Sequence, residues 1–368
     1  GIGRLKPKTM MSYKTAIIII NYKDYANKYL ADCWESLSRL QLTTDDWQIE
    51  TTIFIVDNQS DDTTYATLQA MAPTAHIIRN ANNDGFAKGN NDVLALAMSQ
   101  GYDFAWVLNM DTIVEPDSLI ELVKLMICNP KIGSAQSLLK LWPETDLVNS
   151  LGNVTHFLGY GYCDGYKKKV AELNLDELNG RRISYPSGAS VLFRLSALRQ
   201  VGLFDETFWM YNEDQDLGWR LWLAGWDCQL AAYSSVYHKY EFSRSASKYY
   251  WLDRNRLLSA WKNYHLLTLL VLLPALLLSE LVLAVIFRRN GRLSYKLKAW
   301  WYFFNPLHWP SLIAMRIRTQ HLRQVRDHHV IKTFSGRILF QAVDSPLVRV
   351  GNWGLNLYWQ IIKLIIIW

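Results

Sequence analysis

Between Phe204 and Arg220 the chain places Asp205, Glu206, Glu213, Asp214 and Asp216 among Phe208, Trp209, Tyr211 and Trp219. Carboxylates this close repel one another, and aromatic walls lower the local dielectric, so such a cluster needs cations, hydrogen-bond donors or a reason to tolerate raised pKa values. That property suits a general acid or base. A plainer reading is a helix start, with Asp214 or Asp216 capping residues 217–224 and Arg220 pairing back to Asp216 one turn on; both readings can hold at once. A second acid, Asp111 in Asn109-Met110-Asp111, follows the apolar run 104–108. A carboxylate there can hold a hard divalent cation together with phosphate oxygens, or can simply end a strand.

The elements that must position these groups are legible as an alternation. Ala16-Ile17-Ile18-Ile19-Ile20 and Thr52-Ile53-Phe54-Ile55-Val56 are short apolar runs of the kind buried on both faces of a parallel sheet, and 76–79 and 104–108 repeat the pattern. Helical stretches separate them at 25–40, 64–72 and 92–100. This order predicts an α/β fold with a mostly parallel sheet. Ligands of such sheets bind beyond the carboxyl ends of the strands, so the segments around Asn21, Asp57, Asp84 and Asp111 should line one crevice. Residues 134–184, rich in Gly, Tyr and Asn, are expected to form a variable lid or acceptor-side excursion, with a plain solvated loop as the alternative.

At 368 residues the chain has room for a catalytic domain and a smaller appendage. The division expected is a tail over 1–14, a catalytic domain over 15–250 and a helical region over 251–368. The net charge of +6 is concentrated after residue 287, where the bases lie among Trp and Leu runs. That setting favours anionic lipid over nucleic acid. The four cysteines have no CxxC spacing, which signals neither zinc nor a disulfide framework and makes a reducing compartment the expectation. No secretory signal is read in the first residues.

Taken in order, Ile20-Asn21-Tyr22, Val56-Asp57-Asn58-Gln59-Ser60, Asn83-Asp84-Gly85-Phe86-Ala87-Lys88-Gly89-Asn90, Asn109-Met110-Asp111, Gly188-Ala189, Val201 to Glu206, Glu213-Asp214-Gln215-Asp216-Leu217 and His238 make a specific set. Over 15–240 the chain resembles the family 2 glycosyltransferases of GT-A fold, in particular their rhamnosyltransferase-like branch. The resemblance implies a Rossmann-like catalytic domain and an inverting, single-displacement transfer. It implies nucleotide contacts at Asn21, Asp57, Asn58, Asp84, Gly85, Lys88, Asn109 and Asp111, with Asn109 standing where the first Asp of the family's DxD motif would be. It further implies Mn²⁺ or Mg²⁺ on Asp111 with His238, Asp214 as catalytic base, and acceptor contacts from Trp209, Tyr211 and Glu213. The donor so implied is dTDP-rhamnose, with a UDP-sugar as the other choice.

The last third changes character. Residues 266–287 are apolar for long enough to cross a bilayer at about 1.5 Å per residue. Pro274 and Glu280 interrupt the run, however, and Arg288, Arg289 and Arg292 follow it. A kinked, re-entrant or in-plane insertion keeps both basic flanks on the cytoplasmic surface, which makes a monotopic or peripheral seat the expectation and a single span the alternative. The Arg cluster is expected to hold lipid phosphates or an acceptor diphosphate. A soluble donor and a membrane seat together point to a polyprenyl-diphosphate-linked glycan as acceptor. A polyprenyl-phosphate glycosyl synthase and a non-catalytic scaffold are the rival readings. A second copy of the chain is left open as a partner for residues 353–368.

Overall fold

The computed structural model describes residues 10–239, 247–339 and 346–368. Strand β1 (Met11–Tyr22) begins within the stretch expected to be a tail, because Met11 to Lys14 pair with Trp47 to Glu50 of β2 (Trp47–Asn58); residues 1–9 lie outside the described residues. A wide turn of π-helical geometry at Ala26–Leu30 runs directly into α1 (Ala31–Ser38), so the helix expected over 25–40 is present in two pieces. Next come α2 (Asp62–Met71), β3 (His76–Asn80), α3 (Gly85–Ser99), β4 (Phe104–Asn109), β5 (Thr112–Val114) and α4 (Ser118–Cys128). Strands β3, β2, β1 and β4 lie side by side in that order, all parallel. Ile17 and Ile19 enter one apolar core and Ile18 the other, as two-sided burial requires.

Beyond β4 the sheet becomes mixed. After β6 (Ile132–Leu141), β7 (Val148–Ser150), β8 (Asn153–Thr155), β9 (Gly161–Cys163) and the short α5 (Leu175–Leu178), β10 (Ser190–Arg194) inserts antiparallel between β4 and β6. Helices α6 (Leu195–Val201) and α7 (Glu213–Leu223) lead to β11 (Asp227–His238), which runs parallel to β6 and antiparallel to β5. The first part of 134–184 is therefore no solvated loop, since Val148, Leu151, Phe157 and Leu158 are buried in the main core, whereas none of 166–182 is buried; after β6 the strands there are only three residues long, too short to leave a periodic signal.

Helix α8 (Ser247–Asn263) crosses the expected boundary at residue 250 and stays bonded to the sheet domain: Lys262 and Asn263 both donate to the buried Asp216 of α7. Helix α9 (Leu266–Arg289) runs through Pro274 without interruption. It is tied along its length, by Thr268 to Asp327, by Val271 O to the Tyr358 hydroxyl, and in its middle by Glu280. Glu280 and Asp253 face Arg256 and Lys296 in a buried ionic cluster, with the Trp300 indole donating to Glu280 at 2.6 Å. Two cations balance two anions there, which removes the isolated buried charge that made Glu280 look costly. Helices α10 (Leu293–Phe304), α11 (Trp309–His321), the short α12 (Asp327–Val330) and α13 (Pro346–Ile365) complete the described chain.

Candidate active site

One cavity of about 1290 Å³ opens where β1, β2 and β4 end. Beneath it the chain fixes two fully buried polar side chains, neither of them among the lining residues, through the register itself. Asn21 and Asp57 are paired positions of β1 and β2; the Asn21 amide donates to Asp57 at 2.7 Å and its oxygen accepts from the Ala26 N–H. Asp57 also accepts from Ser60 and lies 3.8 Å from Arg79. Asn58, one residue on, accepts from Asn80 and lines the cavity with Asn83 and Gly85. Asp84 precedes α3 without capping it through its side chain. Lys88, expected to reach a nucleotide, is one turn into α3, bonded to Asp92, and is not among the lining residues.

Asp111 sits in the tight turn between β4 and β5, and the pairing of Thr112 with His238 brings the end of β11 beside it. His238 Nε2 stands 3.4 Å from Asp111 Oδ1, while its Nδ1 is 3.0 Å from the side-chain oxygen of Asn149. An amide oxygen only accepts, so Nδ1–H donates in that bond, which leaves Nε2 facing the carboxylate. Imidazole and carboxylate so arranged fit a Mn²⁺ or Mg²⁺ ion, which commonly takes one or two protein ligands and fills its remaining positions with phosphate oxygens and water. Among the described residues no third His, Cys, Asp or Glu joins them.

The acidic cluster closes the other side of the cavity. Trp209, Tyr211 and Asn212 all have positive φ, as do Lys23 and Gln59 just past the ends of β1 and β2. Non-glycine residues in that region cost on the order of 1 kcal/mol or more each, and the strain is held by packing around the site. Buried Asn255 of α8 supplies part of that hold, its amide donating to the carbonyls of Phe208, Met210 and Tyr211. The Trp209 carbonyl accepts from Phe86 N–H at 3.0 Å, and Gly85 (φ +84°) is required beneath it, since a Cβ there would lie 2.5 Å from that oxygen. The Trp209 ring packs against Trp251, tilted by 30°, and is not among the cavity's lining residues, which moves it away from the acceptor-contact role expected of it. Tyr211 and Glu213 do line the cavity.

The carboxylates separate by environment. Asp216 is fully buried and accepts from Arg220, Lys262 and Asn263, so it joins α7 to α8. Asp205 caps the turn at Thr207 and meets Lys262. Asp214 faces the cavity: burial pushes its carboxyl up to about 6, against the pull of the N–H groups of Gln215 and Gly188. Glu213 beside it is pushed well above the carboxylate range, first by burial and then by the charge of Asp214. The pair therefore offers one carboxylate able to take a proton near neutral pH and one neutral acid. Arg288, Arg289 and Arg292 lie away from the cavity lining; the first two are exposed at the end of α9 and the third stacks over Tyr249. An acceptor diphosphate in the cavity is thus not theirs to hold. Asn149 and Asn255 carry no signal in the sequence, and Gly188 and Gln215, though inside recognised motifs, are given no role there.

The family model described as "Glycosyl transferase family 2" matches residues 16–202, ending before Glu213. An N-acetylglucosaminyl-diphospho-decaprenol L-rhamnosyltransferase of Mycobacterium tuberculosis is 29% identical over 189 residues, which are 47% of this chain and 62% of the relative. The chain thus spans less than two thirds of the curated relatives it matches. Among solved structures, GalNAc-T7 with UDP, GalNAc and Mn²⁺ superposes with a TM-score of 0.52 at 12% identity, covering 68% of this chain and 48% of that one. TarS of S. aureus (residues 1–349, with UDP) covers 95% and 90% at 13% identity and a TM-score of 0.47.

Proposed function

Because the chain belongs to glycosyl transferase family 2, we propose that it moves a sugar from a nucleotide-sugar donor to a hydroxyl of a lipid-linked glycan, with inversion, at the cytoplasmic face of the membrane. The donor favoured is dTDP-rhamnose and the acceptor a polyprenyl-diphosphate-linked saccharide, in keeping with the name of the mycobacterial relatives. The observation that carries the reading is the meeting, in one cavity, of the Asp111–His238 pair with Asp214.

Asn58, Gly85 and the N-terminal turn of α3 make the end of the cavity that would take the nucleotide. A divalent cation held by Asp111 and His238 would supply charge neutralisation for the departing diphosphate. Asp214, ionised above pH about 6, takes the acceptor hydroxyl's proton as that oxygen attacks the anomeric carbon from the face opposite the diphosphate. Glu213, kept neutral, can donate a hydrogen bond to the acceptor without repelling Asp214.

Membrane seating is supported by the exposed leucines along α9, by Trp301, Phe304, Leu307 and Trp309, and by Trp353, Leu357, Ile361 and Leu364 of α13. Helix α9 is bonded at its middle, through Glu280, to Arg256 of α8 and Lys296 of α10. A span centred on that point would drag the α8 side of the catalytic domain into hydrocarbon, so an in-plane helix is the form we favour.

A panel of nucleotide sugars with Mn²⁺, read by thermal stabilisation, tests the donor side. A ligand at a hundred times its Kd should add about 2.7 kcal/mol. dTDP-rhamnose is expected to shift the midpoint most. Stabilisation by UDP-sugars alone would remove rhamnose, and no shift with any nucleotide sugar would overturn the donor site.

A further inference from the structure

The cavity does not end at Asp214. Past Tyr160 and Arg256 it continues as an apolar groove between α9 and α13, and the two helices contribute faces of helical periodicity. From α9 these are Ala275, Leu278, Val282 and Ile286; from α13 they are Gly351, Gly354, Leu355 and Tyr358, at i, i+3, i+4 and i+7. The helices touch where the Tyr358 hydroxyl donates to Val271 O, and they leave room at the other end. A Cβ built on Gly351 or Gly354 meets none of the described residues within 4 Å. At the junction stands Arg256, only 2% exposed, with its Nη groups committed to Asp253, Glu280 and Leu158 O and its Nε–H buried without a partner among the described residues.

We propose that this groove holds the polyprenyl chain of the acceptor, laid from the Asp214 end outward between α9 and α13. The inference rests on the lipid-linked acceptor of the preceding section and adds where the lipid goes. Three features choose this occupant over a second protein. The groove is continuous with the cavity that carries the base. Its lining along α9 runs from residue 274 to 286, about 18 Å at 1.5 Å per residue, a length suited to a linear chain. And α13 carries glycines at the two positions where side chains would fill the channel, although glycine weakens a helix there.

The test uses the full chain with a diazirine-bearing polyprenyl diphosphate in phosphatidylglycerol and phosphatidylethanolamine vesicles. Illumination should label α9 and α13 peptides, and undecaprenyl diphosphate should compete where excess phospholipid does not. Gly351→Leu and Gly354→Leu, which add a side chain into open space and favour the helix, should each cut labelling at least tenfold. Stabilisation by nucleotide with Mn²⁺ should stay at the wild-type level. Label on other peptides, competition by phospholipid, or undiminished labelling of both variants would overturn the groove. The two readings fail differently: specific labelling without any sugar transfer keeps the groove and removes the transferase reading, whereas transfer to a lipid-linked acceptor that both Leu variants leave untouched does the reverse.

Discussion

Asp214→Asn should separate chemistry from binding, and the structure sets its size. The substitution keeps the shape and an oxygen to accept the Gln215 N–H at 2.8 Å, but removes the charge and the proton acceptor. Loss of a positioned base lowers turnover by about 10²–10⁴, or roughly 3–5 kcal/mol of barrier. Stability should move the other way. Burial raises the carboxyl from 3.8 to about 6, so wild type carries up to about 3 kcal/mol of cost wherever the group is ionised in the fold. Below pH about 4 folded and unfolded chains are both protonated and the cost is absent. It grows as the unfolded chain ionises first and is complete above pH 6. The Asn variant should therefore melt a few degrees higher than wild type at pH 8, with the gap closing as pH falls through 6 toward 4. In transfer assays wild type should show a rising limb with a midpoint near 6 that the variant lacks. Transfer within fivefold of wild type, a persisting limb, or an Asn variant that melts lower at pH 8 would refute the reasoning.

Asn149→Leu removes the acceptor that fixes the His238 tautomer and should raise the Mn²⁺ concentration for half-maximal stabilisation about 10–100-fold, as read by titrating melting temperature; an unchanged titration would detach His238 from the cation. Asp216→Ala leaves Arg220 without its carboxylate partner and should cost about 3–5 kcal/mol in urea unfolding, and a loss below 1 kcal/mol would contradict its role as the joint between α7 and α8. Arg288→Gln with Arg289→Gln should weaken flotation with phosphatidylglycerol vesicles by about 1 kcal/mol per charge and leave phosphatidylcholine unaffected; equal flotation would take the pair off the membrane surface.

What could be read from the chain follows from which interactions leave a pattern. The four parallel strands declared themselves because residues such as Ile17 to Ile19 must be apolar in sequence to be buried on both faces. With the strands came the convergence of Asn58, Gly85, Asn109 and Asp111 on one cavity. The crowding of acids up to and into the first turn of α7 likewise pointed to Asp214, whose burial raises its proton affinity. Asn149 and Asn255 left no such trace. Each works through an amide that meets a ring or backbone atoms tens of residues away in sequence, and no spacing encodes that. The antiparallel entry of β10 and the packing of 134–184 depend on short strands whose register only the assembled sheet defines. Lys88 and Trp209 were placed by their neighbours in sequence, but one helical turn and one positive-φ residue turn them elsewhere.

The polar joint at Asp216 has a consequence for how the protein can be taken apart. Its three partners come from α7 itself and from the last turn of α8, and the next residues of the chain begin the apolar α9. A truncation placed before α8 to make the enzyme soluble would strip the buried carboxylate of Lys262 and Asn263 and the strained 209–212 loop of Asn255. Solubility and an ordered active site therefore cannot be obtained by that cut. On the membrane seat proposed above, a cut meant to remove the apolar helices has to fall after Asn263 rather than before Ser247. For the same reason, sequences that drifted in lipid preference could change α9 and α13 only on faces that leave the ties to Asp327, Arg256 and Lys296 in place.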